Sequence, residues 1–540
     1  MAMKFEHEAA TPRYSRPRTY PASFARGAVA LGVALLLSLP LESALAAPSA
    51  SSRIGWQMAS SDAEVDKAFA LAKQSGKPVF LYWGAVWCPP CNQVQATLFS
   101  RPDFAERSRA FIPVYVDGDK PGAQKVASRF KVVGYPTMII FKPDGTEITR
   151  LPGEVDPERY LLTLTAGLNA QVPVKELIRR GLAKQALTPE QWRLLAFYSW
   201  DTDEQQVLSN TELPQRLAEL AAATPADLPQ VKDRLAFKAL AARAREKGAG
   251  DANVIEGGKQ LVDRVLASPD ASLQLVDILV GQAESIVKYL AAAGEPRRAL
   301  ATRWEAALAK LAESSAQSKS DQVDLLDARV SLWKLIDESE TLSAPRRAIV
   351  LRDTARLVAA TTDKYERQAV VPNAAHVLAQ VGLLSESDEL LKFELPRAVA
   401  PYYHMLGLAG NAKKRNDPKA ALDWYEQAWR KSEGPATRIQ WGTGFVGQLV
   451  ELAPGDIARV ENAAGAVIAQ LDPKNETFYE RNQRALRRMA DRLVKWQGAD
   501  PSRKASVEKV RQKLAKTCAR LPAGDTGRSN CDSVFTPASS

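Results

Sequence analysis

Two cysteines three positions apart, in Trp87-Cys88-Pro89-Pro90-Cys91, carry the most chemistry of this chain. At that spacing two thiols can close a small-ring disulfide and open it again. A helix starting at Cys88 aims free backbone N–H groups and a partial positive charge at its sulfur. That lowers a thiol pKa from about 8.5 toward neutrality and makes a thiolate available to attack a partner's disulfide. Cys88 is then expected to be the exposed nucleophile, with Cys91 a turn deeper to resolve the mixed disulfide and Trp87 as a shielding aromatic. A zinc site is the competing use of two such cysteines, and it needs four ligands. The remaining cysteines, Cys518 and Cys531, are far along the chain, and His7, His376 and His404 stand apart from one another. No metal is expected.

The surrounding residues read as elements able to hold such a pair. Pro78 to Trp83 is an apolar run of strand type leading into the motif, and after it Val94, Leu98 and Phe99 fall at helical spacing. Upstream, Asp62 to Gln74 forms an amphipathic pattern with Val65, Phe69, Leu71 and Ala72 inward, ended by Gly76. Downstream come a strand at Phe111 to Asp117, a helix at Ala123 to Phe130, and Val133-Gly134-Tyr135-Pro136-Thr137 opening another strand. Lys142 to Thr146 supplies a hairpin turn, Glu147 to Leu151 the next strand, and Pro157 to Leu168 a closing helix.

This order, with its dithiol and its Pro-Thr step, resembles the thioredoxin family over about residues 54–170. The resemblance implies an α/β thioredoxin fold and a cis proline at Pro136 lying beside the dithiol. It also implies that Tyr135, through its backbone, and Pro136 bind substrate next to Trp87. One departure concerns the buried aspartate that most members carry six residues before the first cysteine to help move the second thiol's proton. Tyr82 stands there, and Val86 and Gln93 occupy places where some relatives carry acids. Asp117 is the nearest acidic candidate.

Four arginines, Arg13, Arg16, Arg18 and Arg26, precede an apolar run from Gly27 to Leu39, followed by Ala44-Leu45-Ala46, a small-x-small cleavage signature. The run is short against the roughly 20 residues of a membrane span. Residues 1–46 are therefore expected to be a signal peptide addressing the chain to the periplasm, with an uncleaved anchor as the alternative. Leu273 to Leu290 is also apolar, but Asp277, Glu284 and Lys288 make it a core helix rather than a span. In an oxidising compartment Cys518 and Cys531, close together near the C-terminus, are expected to form a structural disulfide.

At 540 residues the chain is too long for one small α/β domain. The expected organisation is a thioredoxin-like domain over 47–170, a helical repeat-like domain over 171–505 and a C-terminal tail over 506–540. Beyond 171 the composition turns to Ala, Leu, Arg, Glu and Gln. Val323, Leu326, Val330, Trp333 and Ile336 make one helical stripe, and breaks recur at Thr224-Pro225, Gly294-Glu295-Pro296 and Asn416-Asp417-Pro418. Tyr403-His404-Met405-Leu406-Gly407 followed by Ala421, Tyr425 and Ala428 resembles a tetratricopeptide hairpin, so a large all-α helical-hairpin region, a TPR-like solenoid or a bundle, is expected. His404 reads as a packed histidine, and Trp192, Phe197, Tyr198 and Trp200 as core aromatics. Arg481, Arg484, Arg488, Arg492 and Lys495 share one helical face, either solvated or open to an acidic partner or an anionic membrane surface. A net charge of +10 is modest for this length, and nothing calls for nucleic acid.

The expected function is a periplasmic thiol–disulfide oxidoreductase acting on protein disulfides, without a cofactor. Pro90 before the second cysteine favours a reductase over a dithiol oxidase, because no histidine stabilises the thiolate there. The resemblance then implies a membrane electron donor. The alternative is a helical scaffold or client-binding protein with a weakly active thioredoxin domain.

Overall fold

The computed structural model describes residues 53–536, apart from 152–156, 202, 204, 247–250 and 315–316. The expected leader and its cleavage signature lie outside the described residues.

The first domain is a five-stranded sheet flanked by helices. Its strands are β1 (Gln57–Ala59), β2 (Val79–Gly84), β3 (Ile112–Asp117), β4 (Thr137–Phe141) and β5 (Glu147–Leu151), in the spatial order β1-β3-β2-β4-β5. β3 is parallel to β1 and β2, whereas β4 is antiparallel to β2 and β5. Every residue of β2 is buried, as a central strand covered on both faces requires. Val79, Leu81 and Trp83 enter the core on one face, and Phe80 and Tyr82 that on the other, following the two-residue period of a strand.

Helices α1 (Asp62–Ser75), α2 (Pro89–Val94), α3 (Pro102–Arg107), α4 (Ala123–Arg129) and α5 (Pro157–Leu168) complete the domain. α1 starts in a Ser61–Glu64 capping box and stops at Gly76, whose φ of 68° is the left-handed conformation glycine tolerates. Its inward face is Val65, Ala68 and Ala72; Leu71, expected inward, is exposed. The helix expected through Phe99 changes after Val94 into a π-helical turn, Gln95–Phe99, which still buries Leu98 and Phe99.

From Val174 onward the regular structure of the described residues is helical. Successive apolar cores follow one another along the chain, the first containing Trp192, Tyr198 and Trp200. The stripe from Val323 to Trp333 lies on the helix Lys319–Asp337 and enters a core with Val370 and Val377. The three expected breaks all separate or open helices. The helices Pro401–Lys414 and Pro418–Lys431 pack together, joined through Asn416 at φ 56°. Leu273 to Leu290 is not one helix but three short ones, interrupted at Leu275 and Gln282.

The boundary expected at 505/506 falls inside the helix Pro501–Cys518. Val507, Val510 and Leu514 join the core formed by Val460, Leu486 and Leu493, and a Cys518–Cys531 disulfide ties that helix to Thr526–Asp532.

Candidate functional site

The strand β2 delivers the chain to the dithiol and α2 carries it away. Cys88 is the N-cap of α2, and the Cys91 backbone N–H donates to its sulfur at 3.3 Å. Pro89 occupies the first helical position, where a missing N–H costs nothing. The two cysteines are disulfide-bonded, with Cα atoms 5.2 Å apart. Asn92, a buried residue that no sequence pattern singles out, donates to the carbonyls of Val86 at 2.7 Å and Cys88 at 2.9 Å, and so pins the loop onto the helix.

Tyr135–Pro136 is a cis peptide. Cys88, Cys91 and Ala85 form a small apolar cluster against which Trp87 and Tyr135 pack. Of the residues expected at the site, Cys88, Cys91, Trp87 and Tyr135 therefore converge. Tyr135 lies parallel to Trp83 and edge-on to Trp87, with centroids 6.1 and 5.6 Å away. Its hydroxyl accepts from Gln124, and its ring lies so close to Gly118 that any side chain there would collide with it.

The expected exposure of Cys88 is not found. Cys88 is 3% and Cys91 5% exposed, because the helical region lies over the redox face. Trp87 stacks on Tyr403 and meets Trp441 edge-on, with centroids 6.0 and 6.1 Å away. Gln368 donates to the Trp87 carbonyl at 3.4 Å, and Gln93 donates to Asp321 at 2.8 Å. Asp119 accepts from the Trp87 indole N–H at 2.9 Å and from the Thr437 hydroxyl. Gly434 sits on the Asp119 side chain at φ 82°, where a Cβ would come within 2.7 Å of it.

Arg481 completes this cover. Its guanidinium lies 4.6 Å from the centre of the Tyr135 ring and 3.4 Å from the Val133 carbonyl, and its backbone N–H donates to Gln124. The five basic residues thus do not form one open face. Arg481 packs against the cis-proline loop and Arg484 pairs with Glu480 at 3.1 Å, while Arg488, Arg492, which lies beside Gly447, and Lys495 are exposed.

Burial and charge set the acid–base character. Burial pushes the Tyr82 phenol far above its ordinary range, so the residue standing in the place of the usual buried acid stays protonated. Burial also raises Asp117, whose carboxylate accepts from the Asp119 N–H at 3.1 Å. Asp119 is raised to about 6, chiefly by burial; hydrogen bonds from Thr437 and Trp87 oppose the rise, and the neighbouring Asp117 charge adds to it. A cavity of about 610 Å³ runs from Pro89, Pro90 and Gln93 to Asp277, Asp321 and Asp327 of the helical region. His404 is buried in a helix, with Nδ1 3.4 Å from the Ala400 carbonyl. Among the described residues no group of His, Cys, Asp and Glu is arranged to hold a metal ion, and no helix is long and apolar enough to cross a membrane.

Among known proteins, the family pattern of a thioredoxin-like domain matches residues 65–167. Thiol:disulfide interchange protein DsbD 1 of Pseudomonas aeruginosa is 32% identical over 105 residues, covering 19% of this chain and 18% of that protein. DsbD of Klebsiella pneumoniae is 34% identical over 139 residues, 24% of this chain and 23% of the relative. The chain thus spans less than a quarter of these two proteins. A thioredoxin of Mycolicibacterium smegmatis is 37% identical over 94 residues, which are 17% of this chain but 81% of that protein.

Proposed function

The chain belongs to the thioredoxin family through residues 65–167, and from that premise we propose that it is a thiol–disulfide oxidoreductase working through Cys88 and Cys91. The observation carrying this reading is the convergence of an intact dithiol at the start of α2 with the cis Tyr135–Pro136 loop. In the reduced protein the Cys88 thiolate attacks a client disulfide, forming a Cys88–client mixed disulfide and releasing one client thiolate. The Cys91 thiolate then attacks the Cys88 sulfur, closes the Cys88–Cys91 disulfide and releases the second client thiol. A dithiol donor restores the pair, and we assign that role to a membrane electron donor. The bare Pro89-Pro90 pair supports the reducing direction, and the basic and apolar leader supports a periplasmic address. Turnover of insulin disulfides with dithiothreitol tests the activity. Wild type should accelerate it and Cys88→Ser should lose the acceleration; equal rates would end this reading.

The covered redox face favours a second reading, in which the helical region is a client-binding scaffold and the dithiol turns over slowly. Tyr82 in place of a buried acid supports it as well. A wild-type chain that binds reduced client without accelerating insulin reduction would establish this alternative.

A further inference from the structure

The helix Glu480–Gln497 sets Arg481 against the cis-proline loop and carries Arg484, Arg488, Arg492 and Lys495 behind it at helical spacing. Of these four, Arg484 is paired with Glu480, while Arg488, Arg492 and Lys495 form no ion pair among the described residues. Elsewhere the chain sets an acid four residues from a cation, as Glu426 with Arg430 and Asp532 with Arg528. Here cations stand at that spacing, an arrangement that destabilises a helix. Burial and the neighbouring charges of Arg484 and Arg492 pull the Arg488 pKa below the ordinary arginine range. The helix packed alongside, Pro435–Leu452, has one acid, Glu451, and Lys413 pairs with it at 2.6 Å. Towards the arginines that helix presents Gln440, which accepts from the Arg481 Nε–H at 3.2 Å, and Gly447, where a Cβ would collide with the Arg492 guanidinium. Between them Gly444 is exposed, and a Cβ there would meet nothing within 4 Å. The two helices thus bound a strip, open at Gly444, with uncompensated cations along one edge. Those cations stay exposed while Tyr403, Trp441 and Arg481 cover the redox face.

We propose that this strip docks an acidic, extended segment of a protein client and so holds the client's disulfide beside the covered dithiol. This inference rests on the reading of the chain as acting on protein disulfides, and it names the class of client. Arg484 to Lys495 is eleven residues of helix, roughly 16 Å at ~1.5 Å each, the length of about five residues of extended chain. Guanidinium groups meet carboxylates with two parallel N–H donors, and a row of cations raises the encounter rate of an acidic partner. Carboxylates placed between Arg488 and Arg492 also relieve the repulsion of the two guanidiniums, which favours an anionic occupant over an apolar or cationic one. A segment bound there needs none of the covered surface, so docking precedes opening, and Cys88 remains the attacking thiol.

The test uses the full-length chain and two fluorescein-labelled peptides without cysteine, one with a run of glutamates and one with a run of glutamines, about five residues each. By fluorescence anisotropy wild type should bind the glutamate peptide and not the glutamine one, and added salt should weaken that binding, a measurement that needs no variant to fold. Reversing two charges of the strip with Arg488→Glu and Arg492→Glu should weaken binding about tenfold at low salt. The same reversal at Lys504 and Lys516, exposed on the helix Pro501–Cys518, should change it less than about twofold. Equal losses from the two double variants, or equal binding of the two peptides, would overturn the proposal. So would sedimentation with phosphatidylglycerol vesicles that the Arg488 and Arg492 reversals abolish, without preference for the glutamate peptide, because the strip would then be a membrane surface. Failure of wild type on insulin together with strip-dependent binding of the glutamate peptide would defeat the enzymatic reading and leave the docking surface standing.

Discussion

Trp87 lies parallel to Tyr403, with ring centroids 6.0 Å apart and planes 19° from parallel. One ring borders the Cys88–Cys91 disulfide, and the other belongs to a helix of the all-α region. The shielding tryptophan of the dithiol is therefore itself shielded, and a protein client must displace part of the same chain before it touches Cys88.

Loosening this contact should unmask the thiol. In the reduced full-length chain, Cys88 should react with N-ethylmaleimide well below the rate of an exposed thiol. Trp441→Ala, which removes the edge-on neighbour of Trp87, should raise that rate about tenfold, equivalent to ~1.4 kcal/mol and the size of one aromatic contact. Peptide mapping of the early adduct checks the site. A fast wild-type reaction that Trp441→Ala does not change would show that the face is open in solution.

Asp119 makes closure depend on pH. Burial raises its pKa from 3.8 to about 6, so between those values the folded chain holds a proton that the unfolded chain has released. Stability consequently falls as pH rises through that window and levels off above it. Urea midpoints from roughly pH 4 to pH 7 should show a steeper fall in wild type than in Asp119→Asn, by up to about 3 kcal/mol. Parallel profiles would remove Asp119 as the cause.

The Cys88–Cys91 couple should titrate as a reductant, nearer the roughly −270 mV of thioredoxin than the roughly −120 mV of the strong oxidant DsbA. The reason is local: Pro89 and Pro90 place no cation between the sulfurs, and among the described residues the backbone donor to the Cys88 sulfur is the Cys91 N–H. A redox titration giving a potential above about −150 mV would make the couple an oxidant.

Removing the second disulfide should cost stability and spare the chemistry. Cys518 and Cys531 are both buried in the last core, beside Leu514, Leu521 and Val534. Cys518→Ala should lower unfolding stability by about 3 kcal/mol, the scale expected for a loop this short, with insulin turnover retained. A mixed disulfide between Cys88 and either residue would instead make that pair part of an electron relay.

The features legible in the residues alone are local ones. The alternation of Phe80 and Tyr82 with Val79, Leu81 and Trp83 is a period written in adjacent residues, and so are the Gly76 stop and the Pro136 step. Leu71 departs from its expected inward place because helical spacing defines a stripe but not which edge of it meets the sheet; Ala68 takes the inward position. Arg481 presents the same difficulty on a larger scale. Its spacing with Arg484 and Arg488 defines a helix face, but nothing local says that the first turn of that face meets the cis-proline loop. Tyr403 stands out in the sequence as a repeat-like aromatic, and its packing on Trp87 depends on contacts between distant segments that leave no periodic trace.

The tether between cover and dithiol has an arithmetic of its own. A segment joined covalently to the face it occupies competes at an effective concentration that reaches the millimolar range, whereas a free client competes only at its own bulk concentration. Every client's apparent affinity is multiplied by the fraction of time the face stands open, and so reduced by it. Selectivity can thus be set without a dedicated specificity pocket, by how well a client outcompetes Tyr403, Trp441 and Arg481. Substitutions in those three residues would widen or narrow the range of accepted proteins while leaving both sulfurs untouched.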